Sequence, residues 1–495
     1  MEIIEKSTIH LENHFDSFRK HVVGMDHPID TPYGKMPMIY ADWTASGRLY
    51  RPIEEQILND IGPYVANTHT ETSFTGSTMT HAYHQARHII KEHVGANDQD
   101  ILICCHSGMT GAINKLQRIL GLKVHEKFKD RCQLTDEERP LVIVSHMEHH
   151  SNQTSWLETI AEVVVVPPDD HGLFSITALE NVLDQYRYKK TKIAAITSCS
   201  NVTGVFTPYH EIAAKMHEFE GYCFVDFACS APYIDIDMHP EDPAKQLDAI
   251  YFSPHKFLGG PGSPGVVIFN KELYQNKIPD HPGGGTVSWT NPWGEHRYFD
   301  EVELREDGGT PPFLQTIKAA KAMLLKEQMN CTFIRRREDE LAEIVWKGFD
   351  EIEGLHMLAD PIKNRLCIFS FYLDQAHYNL VVKLLSDKFG IQTRGGCSCA
   401  GTYGHYLLQV SQELSREITS AIDTGCNTSK PGWVRMSLHP VMTNEEVEFC
   451  VQAVKDIAEN IDDYQKEYRY DPEKNEFFHH GDEGHEKRLA ESWFD

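Results

Sequence analysis

The 495-residue sequence has few of the features that direct a chain to membranes, to nucleic acids or out of the cell. It contains no run of about eighteen apolar residues, which a membrane-spanning helix would require. Its beginning, MEIIEKSTIHLENHF, has neither the basic region nor the apolar core of a secretory signal. With 47 basic against 73 acidic residues, the net charge of -26 argues against general binding to nucleic acid or anionic lipid. We therefore expect a cytoplasmic protein with no nucleic-acid or membrane partner.

The 12 cysteines do not form the regular framework of a disulfide-rich protein. Most lie in apolar runs such as ILICC at 101–105, where a free cysteine behaves as a small buried hydrophobe in a reducing compartment. Cys397 and Cys399 differ, because they follow two glycines in RGGCSCAG. Together with His405 they would be an incomplete set of metal ligands, so we predict no metal site.

Hydrophobic residues make up 41% of the chain and aromatic residues 10%, which is enough for a normal core. Short apolar runs alternate with stretches of helical spacing, a pattern that favours a mostly parallel sheet covered by helices in an α/β protein. Polar clusters follow these runs, and ligands of such sheets bind at the carboxyl ends of strands. The main predicted strands span residues 141–145, 163–166, 193–197, 222–226 and 249–253.

The same pattern predicts four parts along the chain. Residues 1–35 are expected to form a helical segment that packs on the smaller domain, and residues 36–310 a large ligand-binding domain. Residues 311–465 are expected to form a smaller α/β domain that begins with one long helix from Pro312 to about Ile352. The charged tail at 466–495 is poor in aliphatic residues, so we expect flexibility there, with local docking of its aromatic side chains as the alternative.

A single lysine, Lys256, lies in the glycine-rich and proline-rich stretch YFSPHKFLGGPGSPGVVIF at 251–269. Such a loop carries little side-chain bulk, so its backbone can pass close to a planar ligand. The apolar run that follows it predicts a buried strand that would hold the loop in place. An ordinary surface turn is the alternative when this stretch is taken alone.

Two further patterns decide between these interpretations. The segment SGMTGAIN at 107–114 connects a predicted strand to a predicted helix, and the amides of such a turn favour a phosphate. By itself this pattern is weak, because most strand-to-helix turns bind nothing. Asp226 ends a predicted strand before the lysine loop, and His149 follows another strand. A lysine, an aspartate, a histidine and a phosphate turn together predict pyridoxal phosphate as the cofactor.

At this point the sequence resembles the class V aminotransferase fold, and within it the cysteine desulfurase and selenocysteine lyase group, over about residues 38 to 460. The resemblance implies a pyridoxal phosphate-dependent transferase of fold type I, a large domain with a mostly parallel seven-stranded sheet, and a homodimer. It also implies an amino-acid substrate and a sulfur-acceptor protein as a further partner. The motifs that carry it are EHHSN, SNVTG, VDFACS, SPHK, SGMTGAIN, PGGGTV, RGGCSCAG and WVRMSL.

The resemblance assigns the cofactor site residue by residue. Lys256 would hold the cofactor covalently, His149 would stack on its ring and assist proton transfer, and Asp226 would pair with the ring nitrogen. Asn201 would lie near the ring oxygen, and Thr286 would reach the phosphate of the neighbouring subunit. The remaining cofactor candidates are Gly108, Met109, Thr110, Ser253 and His255 around the phosphate, and Cys229 three residues after the aspartate.

The substrate side of the site follows from the same resemblance. Arg435 would bind the substrate carboxylate, with Arg394, Ala45 and Ser46 as further substrate-binding candidates. Cys399 would take the sulfur, because in the resembled group the reactive cysteine lies five residues after an arginine that here is Arg394. Cys397 lies three residues after that arginine. It would act as a resolving thiol or only occupy the position at which the resembled group commonly has a histidine.

Three departures from the family pattern bear on the reaction. Cys229 stands where glutamine or histidine is usual, Cys397 stands where a histidine is common, and the segment 401–431 is longer than the usual connection. The leading hypothesis is a cysteine desulfurase that forms alanine and a persulfide on Cys399. The alternative is a carbon–sulfur lyase or an aminotransferase that uses the same cofactor without a thiol. A non-enzymatic sulfur-transfer scaffold is opposed by the intact set of lysine, aspartate and histidine.

Overall fold

The computed structural model describes residues 11–105, 107–425, 427, 430–482 and 484–495. Residues 1–10 of the expected N-terminal helical segment, and Cys426, lie outside the described residues. The chain divides into two units. The large unit comprises Ser46–Ser200 and Val205–Cys331, and the small unit comprises the described residues up to Ala45, together with Asn201–Gly204 and Thr332–Asp495.

The strands, in chain order, are β1 (Pro28–Thr31), β2 (Gly34–Pro37), β3 (Ile39–Tyr40), β4 (Asp100–Cys105), β5 (Leu141–Ser145), β6 (Glu162–Val166), β7 (Lys192–Thr197), β8 (Tyr222–Asp226), β9 (Ala249–Phe252), β10 (Gly265–Asn270), β11 (Val287–Thr290), β12 (His296–Tyr298), β13 (Leu355–Met357), β14 (Ile368–Leu373), β15 (Ile391–Gln392), β16 (Arg394–Gly396), β17 (Trp433–Ser437), β18 (Tyr468–Asp471) and β19 (Glu476–His479).

The α-helices are α1 (Leu11–Arg19), α2 (Arg51–Gln56), α3 (Phe74–His93), α4 (Gly108–Ile119), α5 (Glu126–Lys129), α6 (His150–Leu157), α7 (Ile176–Gln185), α8 (Tyr209–Glu218), α9 (Val302–Arg305), α10 (Phe313–Met329), α11 (Cys331–Phe349), α12 (Tyr378–Phe389), α13 (Gly401–Leu407), α14 (Gln412–Asp423), α15 (Asn444–Tyr464) and α16 (His485–Ser492). Short 3₁₀ turns span Gly62–Tyr64, Pro243–Lys245, Pro254–Lys256, Lys271–Leu273 and Gln465–Glu467, and a π-helical segment spans Ile57–Ile61.

The large unit is built on a seven-stranded sheet with the strand order β4-β10-β9-β8-β7-β5-β6. Strands β9, β8, β7, β5 and β6 run parallel, and β10 is antiparallel to both of its neighbours. The predicted mostly parallel sheet is therefore confirmed, and the five predicted strands correspond to β5 through β9. Because parallel strands share one carboxyl edge, the segments that follow β5, β7, β8 and β9 begin at the same side of the sheet.

Helices cover both faces of this sheet, so its strands are apolar on both sides. In β5, Leu141 and Ile143 belong to a cluster that also contains buried residues of α3, α7, α8 and α10. Val142 and Val144 point to the opposite face, where they join buried residues of α4 and α6. Burial on both faces explains why these strands are continuous apolar runs and do not alternate with polar residues.

The small unit contains a four-stranded antiparallel sheet with the order β13-β14-β17-β16. A short parallel pair joins β15 to β3, which brings the chain near residue 40 beside the segment that leads to Arg394. Helix α15 begins with a capping box, in which Thr443 and Glu446 satisfy each other's backbone amides. The small unit is thus assembled from segments that lie far apart in the sequence.

The structure differs from the prediction of one long helix between Pro312 and Ile352. Asn330 interrupts it with a φ of 67°, so that α10 ends at Met329 and α11 begins at Cys331. Asparagine tolerates this left-handed conformation better than most residues, which makes it a suitable helix stop. Helix α10 belongs to the core of the large unit through residues such as Ile317 and Met323, and that unit extends to Cys331.

Helix α1 and the C-terminal tail are both part of the small unit. In α1, Leu11 and Phe15 are buried, and Arg19 forms an ion pair of 2.6 Å with Glu446 of α15. The tail, where we expected flexibility, contains the hairpin β18–β19 and helix α16. Its Asn475 donates a 2.8 Å hydrogen bond to the Tyr378 hydroxyl on α12. Within the described ranges, no helix is long and apolar enough to cross a membrane.

Candidate active site

The predicted site residues fall into two groups, one in each unit, and the group in the large unit centres on Asp226. This aspartate ends β8, where it lies in register with Thr197 of β7 and Tyr251 of β9. It is 3% exposed, and its Oδ1 accepts a hydrogen bond of 2.8 Å from the Ala228 amide. Burial raises the pKa of Asp226 to about 6, although the Ala228 amide and the charge of Lys256 both lower it. The site therefore holds a carboxylate that gains from a cationic partner.

Lys256 lies in the 3₁₀ turn that follows β9, and its loop is held by close backbone contacts. A Cβ atom at Gly260 would lie 1.9 Å from the carbonyl oxygen of Pro254, so only glycine fits there. Gly47 crosses the same turn and donates a 3.0 Å hydrogen bond to the His255 carbonyl. The turn therefore fixes the backbone of Lys256 on both sides, while its side chain is half-buried.

The predicted phosphate turn lies at the start of α4. Gly108 has a φ of 58°, and a Cβ there would lie 3.0 Å from the hydroxyl oxygen of Ser253. That hydroxyl accepts a 2.8 Å hydrogen bond from the Met109 amide. The hydroxyl groups of Thr110 and Ser151 lie 2.7 Å apart. The sequence motifs SGMTGAIN and SPHK thus meet, and they place hydroxyls and helix-terminal amides in one cradle.

His255 is adjacent to this cradle and is uncharged near neutral pH. Burial and, to a smaller extent, the charge of Lys256 lower its pKa to about 4. Its Nδ1 lies 3.5 Å from the hydroxyl of Ser46. The predicted phosphate contact of His255 would therefore be a hydrogen bond from a neutral imidazole and not an ion pair.

His149 caps helix α6, and this fixes the orientation of its ring. Its Nδ1 accepts a hydrogen bond of 3.1 Å from the Ser151 amide. An Nδ1 that accepts must be unprotonated, so in neutral His149 the proton is on Nε2. The Ser151 hydroxyl contacts Thr110, so His149 and the phosphate cradle are connected through one residue.

Cys229 and Thr286 are two further candidates of the large unit, and both are buried and hydrogen-bonded to nearby backbone. Cys229 is buried, and its thiol donates to the Ser200 carbonyl at 3.7 Å. Thr286 is fully buried, and its hydroxyl donates a 2.6 Å hydrogen bond to the Gly283 carbonyl in its own turn. The role of Thr286 at a neighbouring subunit's phosphate stays a prediction, as does a role of Cys229 at the ring.

Sequence reasoning missed Glu148, which precedes His149. Its carboxylate is 1% exposed and accepts from the Ser145 hydroxyl at 2.6 Å, the Thr197 amide at 2.8 Å and the Asn152 side-chain amide at 2.7 Å. Burial raises the pKa of Glu148 to about 7, these donors lower it, and the charge of Asp226 raises it. The glutamate ties the ends of β5 and β7 together, and the signal in the sequence was an acidic residue three positions after a buried strand.

The group in the small unit centres on Arg435, in the middle of β17. Its guanidinium is 3% exposed and donates from Nη2 to Asp42 Oδ1 at 2.6 Å. Nη1 donates to the Asn201 carbonyl at 3.1 Å. The Nε atom of Arg435 and the Oδ1 atom of Asn201 are buried, and neither has a hydrogen-bond partner in the described part of the chain. Asp42 could not be recognised as the partner of Arg435 from the sequence, because 393 residues separate the two.

The cysteine loop of the small unit presents Cys399 to solvent. Ser398 and Cys399 have φ values of 51° and 56°, a left-handed conformation that is unfavourable for both. The Ala400 amide closes the turn on the Cys397 carbonyl at 3.0 Å, and the Ser398 carbonyl accepts a 2.8 Å bond from the Asn201 side chain. Cys399 is exposed, whereas Cys397 is only partly exposed.

The other small-unit candidates surround these two features. Arg394 is 47% exposed, and its Nε lies 3.3 Å from Asp42 Oδ2. The Ala45 amide donates to the Asp42 carbonyl at 3.0 Å. His405 was considered above as a metal ligand. Its Nδ1 is hydrogen-bonded to the Gly401 carbonyl and its Nε2 to the Ser415 hydroxyl, each at 2.8 Å. Both ring nitrogens of His405 therefore have other partners.

Comparison with protein families matches the model of "Aminotransferase class-V" to residues 39–449. Among curated relatives, a probable cysteine desulfurase of Staphylococcus epidermidis is 27% identical over 452 residues, which cover 90% of this chain and 98% of the relative. A cysteine desulfurase of Haloferax volcanii is 24% identical over 415 residues, which cover 80% of this chain and 91% of the relative.

Solved structures show the same fold. The apo structure of a cysteine desulfurase from Thermococcus onnurineus matches with a TM-score of 0.71 and 21% identity, and it covers 90% of this chain and 98% of its own. A cysteine desulfurase from Escherichia coli matches with a TM-score of 0.69 and 20% identity over the same shares of the two chains. The predicted fold type is thereby confirmed.

Proposed function

The chain belongs to the aminotransferase class-V family, and we propose that it acts as a pyridoxal phosphate-dependent cysteine desulfurase. The family model covers residues 39–449, and relatives with that activity in their names match 80% to 90% of the chain. The observation in the structure that carries the proposal is the buried carboxylate of Asp226 at the end of β8, beside the strand β9 whose following turn holds Lys256.

The residues of the large unit fit the cofactor. Its pyridinium would gain from Asp226, because burial raises the pKa of this carboxylate and a cationic partner would favour its ionised form. Its phosphate would gain from the amides at the start of α4 and from the hydroxyls of Thr110 and Ser253, beside a glycine whose missing side chain leaves room. When bound, pyridoxal phosphate stabilises negative charge on the substrate carbon next to the nitrogen.

Each residue of this unit then has one task. Asp226 would keep the ring nitrogen protonated, because an ionised carboxylate in a buried site favours a protonated partner. Lys256 would hold the cofactor and move the proton at the substrate carbon. His149, whose ring is fixed by the Ser151 amide, would offer its Nε2–H to the cofactor. Glu148 would act indirectly, through the adjacent His149 and through Thr197. Its carboxylate accepts from the Thr197 amide and so holds that backbone in position.

The small unit supplies the groups for the substrate and the sulfur. Arg435 binds the amino-acid carboxylate, since a guanidinium can offer two parallel donors to it. The thiolate of Cys399 attacks the substrate sulfur, a sulfur–sulfur bond forms and the carbon–sulfur bond breaks. The electron pair stays with carbon, a proton joins it, and the products are alanine and a persulfide on Cys399. The exposed position of Cys399 at the tip of its turn favours it over Cys397.

We further propose a homodimer in the cytoplasm that passes its sulfur to an acceptor thiol. Free cysteines throughout the described chain agree with a reducing compartment. Large apolar side chains of the large unit are exposed, with Leu58 at 73%, Phe74 at 75% and Trp293 at 83%. Such side chains favour burial against a second copy, which would also supply Thr286 to the neighbouring phosphate.

The test is product analysis with L-cysteine in the presence and absence of a thiol reductant. A desulfurase forms one alanine for each sulfide, and sulfide release depends on the reductant. Formation of pyruvate and ammonia would instead assign the protein to the carbon–sulfur lyases, and transfer of the amino group to a keto acid would assign it to the aminotransferases. The absence of any product from L-cysteine and related amino acids would favour the scaffold.

A further inference from the structure

The feature that leads to a further inference is the position of Asp42 between two arginines of the small unit. Asp42 Oδ1 accepts from Arg435 at 2.6 Å, and Asp42 Oδ2 lies 3.3 Å from Arg394 Nε. One carboxylate thus serves two guanidiniums. The three side chains together carry two positive charges and one negative charge, so one positive charge remains.

The surroundings of Asp42 hold it in this position. Its carbonyl accepts from the Ala45 amide, and the neighbouring Thr44 amide donates to the Ser437 hydroxyl at 3.0 Å. Asp42 also forms a parallel β-bridge with Ser437 at the end of β17, two residues from Arg435. Backbone contacts therefore fix Asp42 directly beside the strand that carries Arg435.

Arg435 keeps donors for a further anion. Its two observed hydrogen bonds use one N–H of Nη1 and one of Nη2, and a guanidinium has five N–H groups. Its Nε is buried and has no hydrogen-bond partner among the residues that the structure describes. A buried donor without a partner is unfavourable, so an incoming carboxylate would satisfy a group that the protein leaves unsatisfied.

We propose that Asp42 is a positioning residue that orients Arg435 and limits the net charge of this cluster to one, so that the site selects amino acids with a single carboxylate. This inference rests on the proposed function, because it takes Arg435 as the group that binds the substrate carboxylate. A cluster with one net positive charge matches one carboxylate, and it offers a second carboxylate no free cation. Without Asp42, Arg394 would become available to a second negative charge.

The test compares two carboxylates that cannot react, propionate with one charge and succinate with two. The holoenzyme is titrated with each, and the rise in its unfolding temperature gives the dissociation constant, because a ligand of the folded state stabilises it by mass action. We expect Asp42→Asn to strengthen succinate binding about tenfold relative to propionate, since a close charge that solvent screens only in part has an effect of about that size. Arg394→Gln should weaken the binding of both anions.

The double variant distinguishes charge from structure. In Asp42→Asn/Arg394→Gln the net charge returns to one, so the preference between succinate and propionate should return to within about threefold of the wild type. If the double variant stays as altered as Asp42→Asn, or if neither single variant changes the preference, the proposal is wrong. Arg416→Gln, which removes an exposed cation on α14 of the same unit, is the matched control and should change nothing.

Kinetics with L-cysteine add a second readout. We expect KM to change in the single variants and to recover in the double variant, while kcat stays within about threefold, because the cluster acts on binding. If Asp42→Asn does not fold, the loss of propionate binding in Arg394→Gln still tests the charge of the cluster. The anion titrations do not need turnover, so a wild-type enzyme that binds propionate but yields no alanine contradicts the proposed function and leaves this inference standing.

Discussion

Replacing Asp226 by asparagine should stabilise the cofactor-free protein and abolish its activity. The aspartate is 3% exposed, and burial raises its pKa from 3.8 to about 6. A raised pKa means that the folded state holds the proton more tightly than the unfolded state does. The ionised carboxylate therefore destabilises the fold, and the cost appears as the pH rises above 3.8 and is complete above about 6.

The size of this effect follows from the two pKa values. One pKa unit corresponds to about 1.4 kcal/mol, so the cost at pH 8 is about 3 kcal/mol, and at pH 4.5 it is about 1 kcal/mol. Asparagine keeps an oxygen for the Ala228 amide but carries no charge. Asp226→Asn should thus unfold at a higher urea concentration than the wild type, and the difference should grow by about 2 kcal/mol between pH 4.5 and pH 8.

Urea unfolding of the cofactor-free protein at several pH values measures this difference directly. Asp98→Asn, at an exposed aspartate of the large unit, is the matched control and should leave the midpoint unchanged within about 0.5 kcal/mol. A variant that is less stable than the wild type at pH 8, or a difference that does not depend on pH, would refute the reasoning. The result would also show that the site sacrifices stability for the ability to bind a cation.

Other predictions test the remaining parts of the site. Borohydride reduction of the yellow holoenzyme should fix the cofactor on Lys256, and mass spectrometry that finds it on another lysine contradicts this assignment. Cys399→Ser should keep the cofactor colour, while its rate of sulfide release should fall at least about 100-fold. In Cys397→Ser the same rate should fall less than about tenfold. Unchanged turnover in Cys399→Ser would exclude the persulfide. Gly260→Ala should lower the free energy of unfolding by about 2 kcal/mol or more, measured in urea, because its Cβ overlaps a carbonyl oxygen. Thr286→Ala should weaken cofactor binding in the dimer, and a monomer that is fully active at high dilution would contradict the shared site.

The sheet and the lysine loop could be predicted from the sequence because their signals are local. Strands buried on both faces appear as uninterrupted apolar runs, and β5 and β8 were located within one residue by that pattern alone. The lysine loop was recognisable because tight backbone contacts require glycine, as the space at Gly260 shows. Local patterns of this kind need no knowledge of the rest of the fold.

The features that escaped prediction depend on partners that are distant in the sequence. The role of Asp42 is visible only from its hydrogen bond with Arg435. The role of Glu148 is visible only from its hydrogen bonds with Thr197 and Asn152. The helix stop at Asn330 was missed because asparagine inside a helical pattern is weak evidence against a continuous helix. The contact of the tail through Asn475 could not be predicted either, because its partner Tyr378 is also distant in the sequence. A charged composition does not reveal which few side chains find such a partner.

The assembly of the small unit from distant segments sets an order of events during synthesis. Asp42 leaves the ribosome 393 residues before Arg435 does, which at 5 to 20 residues per second is a delay of about 20 to 80 s. In that interval most of the large unit, Ser46–Ser200 and Val205–Cys331, has been made and can begin to fold. Residues 11–45 meanwhile lack β15 and β17, which β3 and Asp42 join, and we expect their apolar side chains, Phe15 and Trp43 among them, to stay exposed to chaperones and proteases. A nascent chain that stops before β17 would carry the residues proposed for the cofactor but would lack Arg435, which we propose binds the substrate carboxylate.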